Sequence, residues 1–489
     1  MNIVTEQYSR ATTKCCTASR SNRINRRTSV CDASRAARTW RRWHRNSFTT
    51  PRLLLLQQPA SSVDMHCRTD DYEPGVADND QPHEPNAYLE SISHHIELMS
   101  EALRQLSLQI HDNPELQSLE ELVDIVNISP MTPSPNSCSL APGNVTRSAF
   151  SLPTAFMAVF DSGRPGPVVS FNAEYDALKD IGHACGHNLI AVASIGGALA
   201  TAEMIKMHTL GGKVILFGTP AEEGGGGKIK LLESGAFKGV DVSLISHPGI
   251  SQNNALMRTS AYTSFKVQYF GTEAHAAARP WDGINALDAL VIAYTSISAL
   301  RQQTQPGDMI QAQILNGGLR PNIIHAYASG RFVVRSETND RLEALKKRVL
   351  ACFEGAATAT RAELVVTQKR GYSNHRPNRA LGSSYRRAFI HLGGDIPAEE
   401  IDWLTALTMA STDQGDVSHA VPSISPNFWI RSASGGPHTP DFEKASRTEE
   451  AHHFALRVAK ALAATAVDVL TRPEFLQEVK REFGDGEAI

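Results

Sequence analysis

The spacing of apolar positions divides the chain into regions of different period. From Tyr88 onward, Leu89, Ile92, Ile96, Met99, Leu103, Leu106 and Ile110 recur every three or four residues, which predicts one long amphipathic helix. Residues 122–147 then break every pattern with Pro, Ser and Asn and read as a loop. Between about 152 and 250, short apolar runs alternate with helical stretches. The strands fall at Val168–Phe171, Val214–Phe217 and Val242–Ile245, the helices at Leu189–Met207 and Lys228–Gly235. Such alternation predicts a mostly parallel sheet covered by helices. Residues 262–370 follow a different order: strand 263–270, helix 285–304, strands 308–315 and 327–335, helix 341–360 and strand 362–369. That β-α-β-β-α-β order is a ferredoxin-like sandwich, and about 110 residues is the size of one domain. The chain then returns to helix at 383–391, a strand near 422–430 and a closing helix at 445–470, so the second unit interrupts the first.

The expected fold class is therefore α/β, a mostly parallel-sheet domain with an inserted α+β sandwich. Its expected parts are a tail over 1–85, the first piece of the main domain over 86–260, the insertion over 261–371, the second piece over 372–476 and a C-terminal tail over 477–489.

Charge and cysteine content narrow the function. Across 489 residues the formal charge is only −3, but it is unevenly spread. Residues 1–52 hold eleven Arg and one Lys against Glu6 and Asp32, a net +10, and the remaining 36 basic and 49 acidic side chains give −13. An acidic body argues against nucleic-acid binding. The longest apolar run near the N-terminus, Leu53–Leu56, is far short of the roughly 20 residues of a membrane span, so no membrane is expected as a partner. Seven Cys at irregular spacing (15, 16, 31, 67, 138, 185 and 352) make no disulfide framework and point to a reducing, cytoplasmic setting. The Arg-rich first half of the tail supplies the alternative, a mitochondrial transit segment.

Ligands of open α/β sheets bind beyond the carboxyl ends of the strands. Four polar clusters occupy such positions: Glu174-Tyr175-Asp176 with Gly182-His183-Ala184-Cys185-Gly186-His187, Glu222-Glu223 followed by four Gly, Ser246-His247-Pro248, and Gly435-Gly436-Pro437-His438. Thiol, imidazole and carboxylate are the donors preferred by Zn²⁺ and its neighbours. In an extended segment the side chains of Glu222 and Glu223 alternate, so one can hold a metal while the other faces water as a general base. Singly, each cluster has a structural reading: Cys185 a small buried hydrophobe, the histidines helix caps, the Glu pair an acidic helix start. Gly224–Lys228 lacks the Ser or Thr and the spacing of a phosphate loop. The four clusters at one sheet edge are what distinguish a metal site.

The motifs AEYDAL, GHACGHN, TPAEEGGGGK and HPG, in this order, resemble the peptidase M20 family of metallopeptidases, in its aminoacylase-like amidohydrolase branch and dipeptidase-like subgroup. GTEAHAA and PWDGINAL are similar to that family's dimerisation (lid) domain. The resemblance implies a two-metal centre at Cys185, His187, Glu223, His247 and His438. Glu222 would be the general base on metal-activated water, and Asp176 would orient a ligand. It further implies that His275, Asn322 and Arg335 bind the substrate's carboxylate end, His275 reaching the partner subunit's site, so that a homodimer is expected. Arg335 has a physical case as well, because a guanidinium fork suits a carboxylate. Asn188 and Ile190 replace the Asp and His of many members of the branch, a change that bears on substrate class. The expected activity is hydrolysis of an amide bond in a dipeptide or N-acyl amino acid with a free carboxylate, using two divalent ions, Zn²⁺ first and Mn²⁺ as the alternative. The competing reading is a catalytically silent homodimer of the same fold with a binding or scaffolding role.

Overall fold

The predicted N-terminal helix is α1 (Leu89–Asp112), and all seven residues of its apolar stripe are buried. Each contributes about 1.5–3 kcal/mol of burial. The protein is described here from a computed structural model covering residues 86–114 and 145–485; the basic tail over 1–85 and most of the predicted loop over 122–147 lie outside the described residues. After α1 come β1 (Val145–Arg147), β2 (Phe156–Asp161), β3 (Val168–Ala173), α2 (His187–Met207), β4 (Lys213–Gly218), α3 (Gly227–Glu233), β5 (Val242–Leu244) and β6 (His247–Gly249). The next segment holds β7 (Ala261–Phe270), β8 (Ala274–His275), α4 (Ala286–Leu300), β9 (Met309–Asn316), β10 (Ile323–Ile324), β11 (Tyr327–Ser336), α5 (Asn339–Thr360) and β12 (Glu363–Tyr372). The remainder is α6 (Arg379–His391), α7 (Glu399–Thr405), α8 (Gln414–Ala420), β13 (Ser423–Ile424), β14 (Asn427–Trp429), α9 (Pro440–Ser446), α10 (Glu449–Thr471) and α11 (Pro473–Asp485).

The main sheet runs β1-β2-β4-β3-β5-β13. β3 pairs in parallel with β4 and β5, and β5 with β13, while β2 and β1 form an antiparallel edge. Helix α2 is apolar on every side and lies against β3 and between α1 and α10; every residue from His187 to Ile205 is buried. It is long and apolar enough to cross a membrane, but here it forms the centre of the core, as an all-round apolar helix must. The other face of the sheet is covered around Phe217, Leu231 and Val417 by α3 and α8. The inserted segment forms a second, antiparallel sheet, β12-β7-β11-β9, with α4 and α5 packed on one core. Its element order is the predicted β-α-β-β-α-β.

Three stretches differ from the sequence reading. β2 was not anticipated. The strand near 422–430 is two strands in different sheets, β13 beside β5 and β14 beside β6, because Pro426 between them has no N–H to continue a ladder. Residues 477–489, read as a tail, are helical as far as Asp485: Phe475 and Val479 are buried, and Glu482 accepts the backbone N–H groups of Arg379 (2.6 Å) and Ala380 (2.9 Å) at the start of α6.

Candidate metal centre

The carboxyl ends of β3, β4 and β5 open into a cleft of about 720 Å³, which Cys185, Glu222, Glu223, His247, His438 and Arg335 help to line. Cys185 precedes α2, and its Sγ lies 3.4 Å from Nε2 of His247, the first residue of β6. His247 donates from Nδ1 to the Pro248 carbonyl at 2.7 Å, since a carbonyl only accepts. Nε2 is therefore unprotonated and accepts from the Cys185 thiol. His187, at the start of α2, is fully buried and surrounded by carboxylates: Nδ1 is 3.4 Å from Asp176 Oδ1, and Nε2 is 3.6 Å from Glu174, 3.9 Å from Glu222 and 3.8 Å from Glu223.

The Glu pair lies in a turn rather than an extended segment, which corrects the alternation argument. Ala221 takes a left-handed backbone (φ 64°), a strain of about 1 kcal/mol or more, and both Glu side chains reach the same His187 nitrogen. Glu223 Oε1 is also 3.2 Å from Nε2 of His438, whose own backbone is left-handed (φ 70°) and tied by its N–H to the Ala184 carbonyl at 2.7 Å. His438 is the exposed rim of the cluster; Asp176 secures the turn from below, accepting the Glu223 N–H at 3.0 Å.

Two donor groups emerge, Cys185 with His187 and His247, and Cys185 with Glu223 and His438, each with atoms within 4.8 Å of one another. Cys185 belongs to both. A third group, Glu174, His187 and Glu222, adjoins them. Both ring nitrogens of His187, Asp176 Oδ1 and Glu223 Oε1 are buried without a hydrogen-bond partner. Buried polar atoms normally find one. Burial, with Glu174 and Asp413 adding like charge, pushes the Glu222 carboxyl well up, and burial likewise raises the Cys185 thiol. Burial opposes ionisation of Asp176 and Glu223 too, but His187 beside the first and His438 beside the second hold both below the ordinary range. Orphaned donors, a buried thiol and crowded carboxylates are a set that divalent cations complete, so the residues fit a metal centre.

Arg335, on β11, is half-buried at the same cleft. It donates to Ser411 Oγ (2.7 Å) and the Met409 carbonyl (3.3 Å) and lies over the Tyr262 ring. Among the described residues no carboxylate pairs with it. His275 and Asn322 sit elsewhere, exposed on the small β8–β10 ribbon, where the Asn322 carbonyl accepts the Ala276 N–H and His275 Nδ1 accepts those of Ala277 and Ala278.

The sequence reading missed one part of the site. Lys228, fully buried behind the Glu turn, donates to Glu174 Oε1 at 2.5 Å and Asp413 Oδ1 at 2.6 Å. Burial works against its charge, but Asp413 and Glu174 hold its pKa above the ordinary value. Glu174 was legible in principle: two residues before Asp176 in an extended segment, it falls on the same side. The spacing of Gly224–Lys228 excludes a phosphate loop and gives Lys228 no other role.

Residues 259–360 match the M20 peptidase dimerisation domain. The Xaa-Arg dipeptidase of Mus musculus is 41% identical over 342 residues, 68% of this chain and 78% of that protein. That of Homo sapiens is 38% identical over 400 residues, 79% and 90% of the two chains. The chain belongs to the M20 peptidase family. This M20 peptidase shares its fold with a dinuclear metal-binding peptidase of the same family from Bacillus subtilis, with a TM-score of 0.56 and 17% identity over 76% of this chain and 99% of that one. It is a hydrolase of amide or peptide bonds, and its donor set fits divalent metal ions.

Proposed function

We propose that this M20 peptidase is a dipeptidase that cleaves the amide bond of a dipeptide or N-acyl amino acid whose carboxylate is free, and that it works as a homodimer in a reducing, cytoplasmic setting. The observation that carries this reading is one cleft holding two donor groups that share Cys185, beside an Arg335 without a carboxylate partner. Cys185, His187, Glu223, His247 and His438 would hold two divalent cations, Zn²⁺ in preference to Mn²⁺ because the set includes a thiol. When bound, such a pair supplies an activated water and a Lewis acid for the scissile carbonyl.

The chain's own residues do the rest. Glu222 takes the proton of the attacking water and delivers it to the departing amine nitrogen. Asp176 fixes the orientation of His187. Arg335 turns its unused N–H groups to the substrate carboxylate, which sets the distance between that end and the scissile bond. His275 and Asn322, exposed on their ribbon, would complete the site of the partner subunit. The hydrolytic unit would comprise 86–260 and 372–485, with 261–371 as the lid. The Xaa-Arg specificity in the names of the mouse and human relatives makes dipeptides with a C-terminal Arg the first substrates to try.

The test is metal content together with turnover on a panel of dipeptides and N-acyl amino acids. The expected result is two metals per chain, turnover only of substrates with a free carboxylate, and loss of turnover in Glu222→Gln. Bound metal without turnover across the panel, or full activity in Glu222→Gln, would overturn the reading.

A further inference from the structure

Glu222 and Glu223 lie on a strained turn, and strain persists only where neighbours hold it. One of those neighbours comes from the other sheet. Tyr372, the last residue of β12, is buried, and its hydroxyl donates to the Glu222 carbonyl at 2.6 Å while accepting the Gly226 N–H at 3.2 Å. That single hydroxyl closes both ends of the segment carrying Glu222.

Its placement depends on the sheet. In β12, Lys369 pairs with Ser264 and Tyr372 with Tyr262, so three steps on β12 match two on β7, a β-bulge. A bulge re-aims the side chain that follows it. The backbone comes so close there that a Cβ on Gly371 would lie 1.5 Å from the Tyr262 carbonyl oxygen. The bulge brings Tyr372 edge-to-face against the Tyr262 ring, with centroids 5.2 Å apart. Tyr262 in turn pairs with Arg335 across the next strand and carries its guanidinium at 4.9 Å. Tyr372, Tyr262 and Arg335 thus form one cross-strand row at the cleft end of the lid sheet.

We propose that Tyr372 is a positioning residue for the general base: its hydroxyl sets where the Glu222 turn stands, and the row through Tyr262 ties that position to the carboxylate anchor Arg335. This rests on the reading of Glu222 as the base.

The test compares Tyr372→Phe with Glu222→Gln on a turned-over dipeptide, following kcat, KM, metal stoichiometry and the urea midpoint. Tyr372→Phe keeps the ring stack and removes only the hydroxyl. The expected result is a kcat reduced about 10- to 100-fold, the scale of a sub-ångström to one-ångström misplacement, with KM within about two-fold and the metal content of the wild type. A Tyr372→Phe kcat within two-fold of wild type overturns the proposal. So does loss of metal or of the folded state in parallel with activity, which marks Tyr372 as structural only. An active Glu222→Gln would instead remove the assignment of the base, a separate failure.

Discussion

Replacing Lys228 by Met leaves Glu174 and Asp413 buried without the cation that now joins them. The three side chains are 0–2% exposed, and the ammonium is 2.5 Å from one carboxylate and 2.6 Å from the other. Removing one member of a buried pair costs about 3–5 kcal/mol, chiefly because the remaining charge stays desolvated. Asp413 keeps one compensating bond, the Lys228 backbone N–H at 2.9 Å, which the substitution does not touch. The assay is urea unfolding of chelator-treated protein, so that no added cation can replace the lysine. With a urea slope of about 3 kcal/mol per M, the midpoint falls by about 1–1.7 M. The loss also depends on pH, and its sign follows from Asp413. Burial already lifts that carboxyl to about 6, with Lys228 opposing the rise. Without Lys228 it climbs further while its unfolded value stays near 4. The folded variant then holds a proton that the unfolded chain releases, so the deficit is largest above the folded pKa and shrinks as pH falls from 8 toward 5. Adding Asp413→Asn removes one of the two stranded charges and recovers part of the loss. A Lys228→Met midpoint within about 0.3 M of wild type, or a double variant weaker than the single one, would refute this account.

Cys185 belongs to both donor groups, so Cys185→Ser is expected to deplete both metals and lower kcat/KM by about 100-fold or more, whereas His438→Ala retains about one metal per chain; elemental analysis that finds the reverse refutes the sharing. Arg335→Lys loses the fork, and KM for a dipeptide should rise about 10- to 100-fold with kcat little changed; a fall in kcat at constant KM would assign Arg335 another role. His375 is buried against the Met257 carbonyl, and burial lowers it to about 4. The unfolded chain therefore takes up the proton first, and stability declines as pH drops below about 6.5, by roughly 3 kcal/mol at pH 4. His375→Gln should flatten that limb of the urea midpoint, and an unchanged slope refutes it.

The parts of this architecture that follow a period were visible in the chain. The stripe from Leu89 to Ile110 and the β-α-β-β-α-β order over 261–372 rest on local spacing that nothing in the tertiary structure opposes. The site clusters were visible for a related reason: sheet topology puts strand ends together whatever the loops contain. Long-range polar contacts left no such trace. Lys228 finds Asp413 185 residues away, and Tyr372 reaches the Glu222 carbonyl across 150. Neither spacing has a period, and a buried Lys looks in sequence like any surface one. The turn at Ala221 was misread as extended because its left-handed backbone falls on an alanine, next to glycines that attract the expectation instead.

The pairing of β5 with β13 also orders events during synthesis. Residues 242–244 meet their parallel neighbour at 423–424 only after about 180 more residues have been made, at ribosomal speeds roughly 10–40 s later. The four strands of the lid sheet all lie between residues 261 and 372, so every one of its pairings becomes available during that interval, before the main sheet can be completed. Of the five residues proposed as donors His438 is made last, so a nascent chain paused before it carries Cys185, His187, Glu223 and His247 but lacks the third member of the second donor group. Under the proposed assignment the full donor set therefore exists only once residue 438 has been made, and a chain that ends between 248 and 437 lacks a component of the site rather than carrying a weaker version of it.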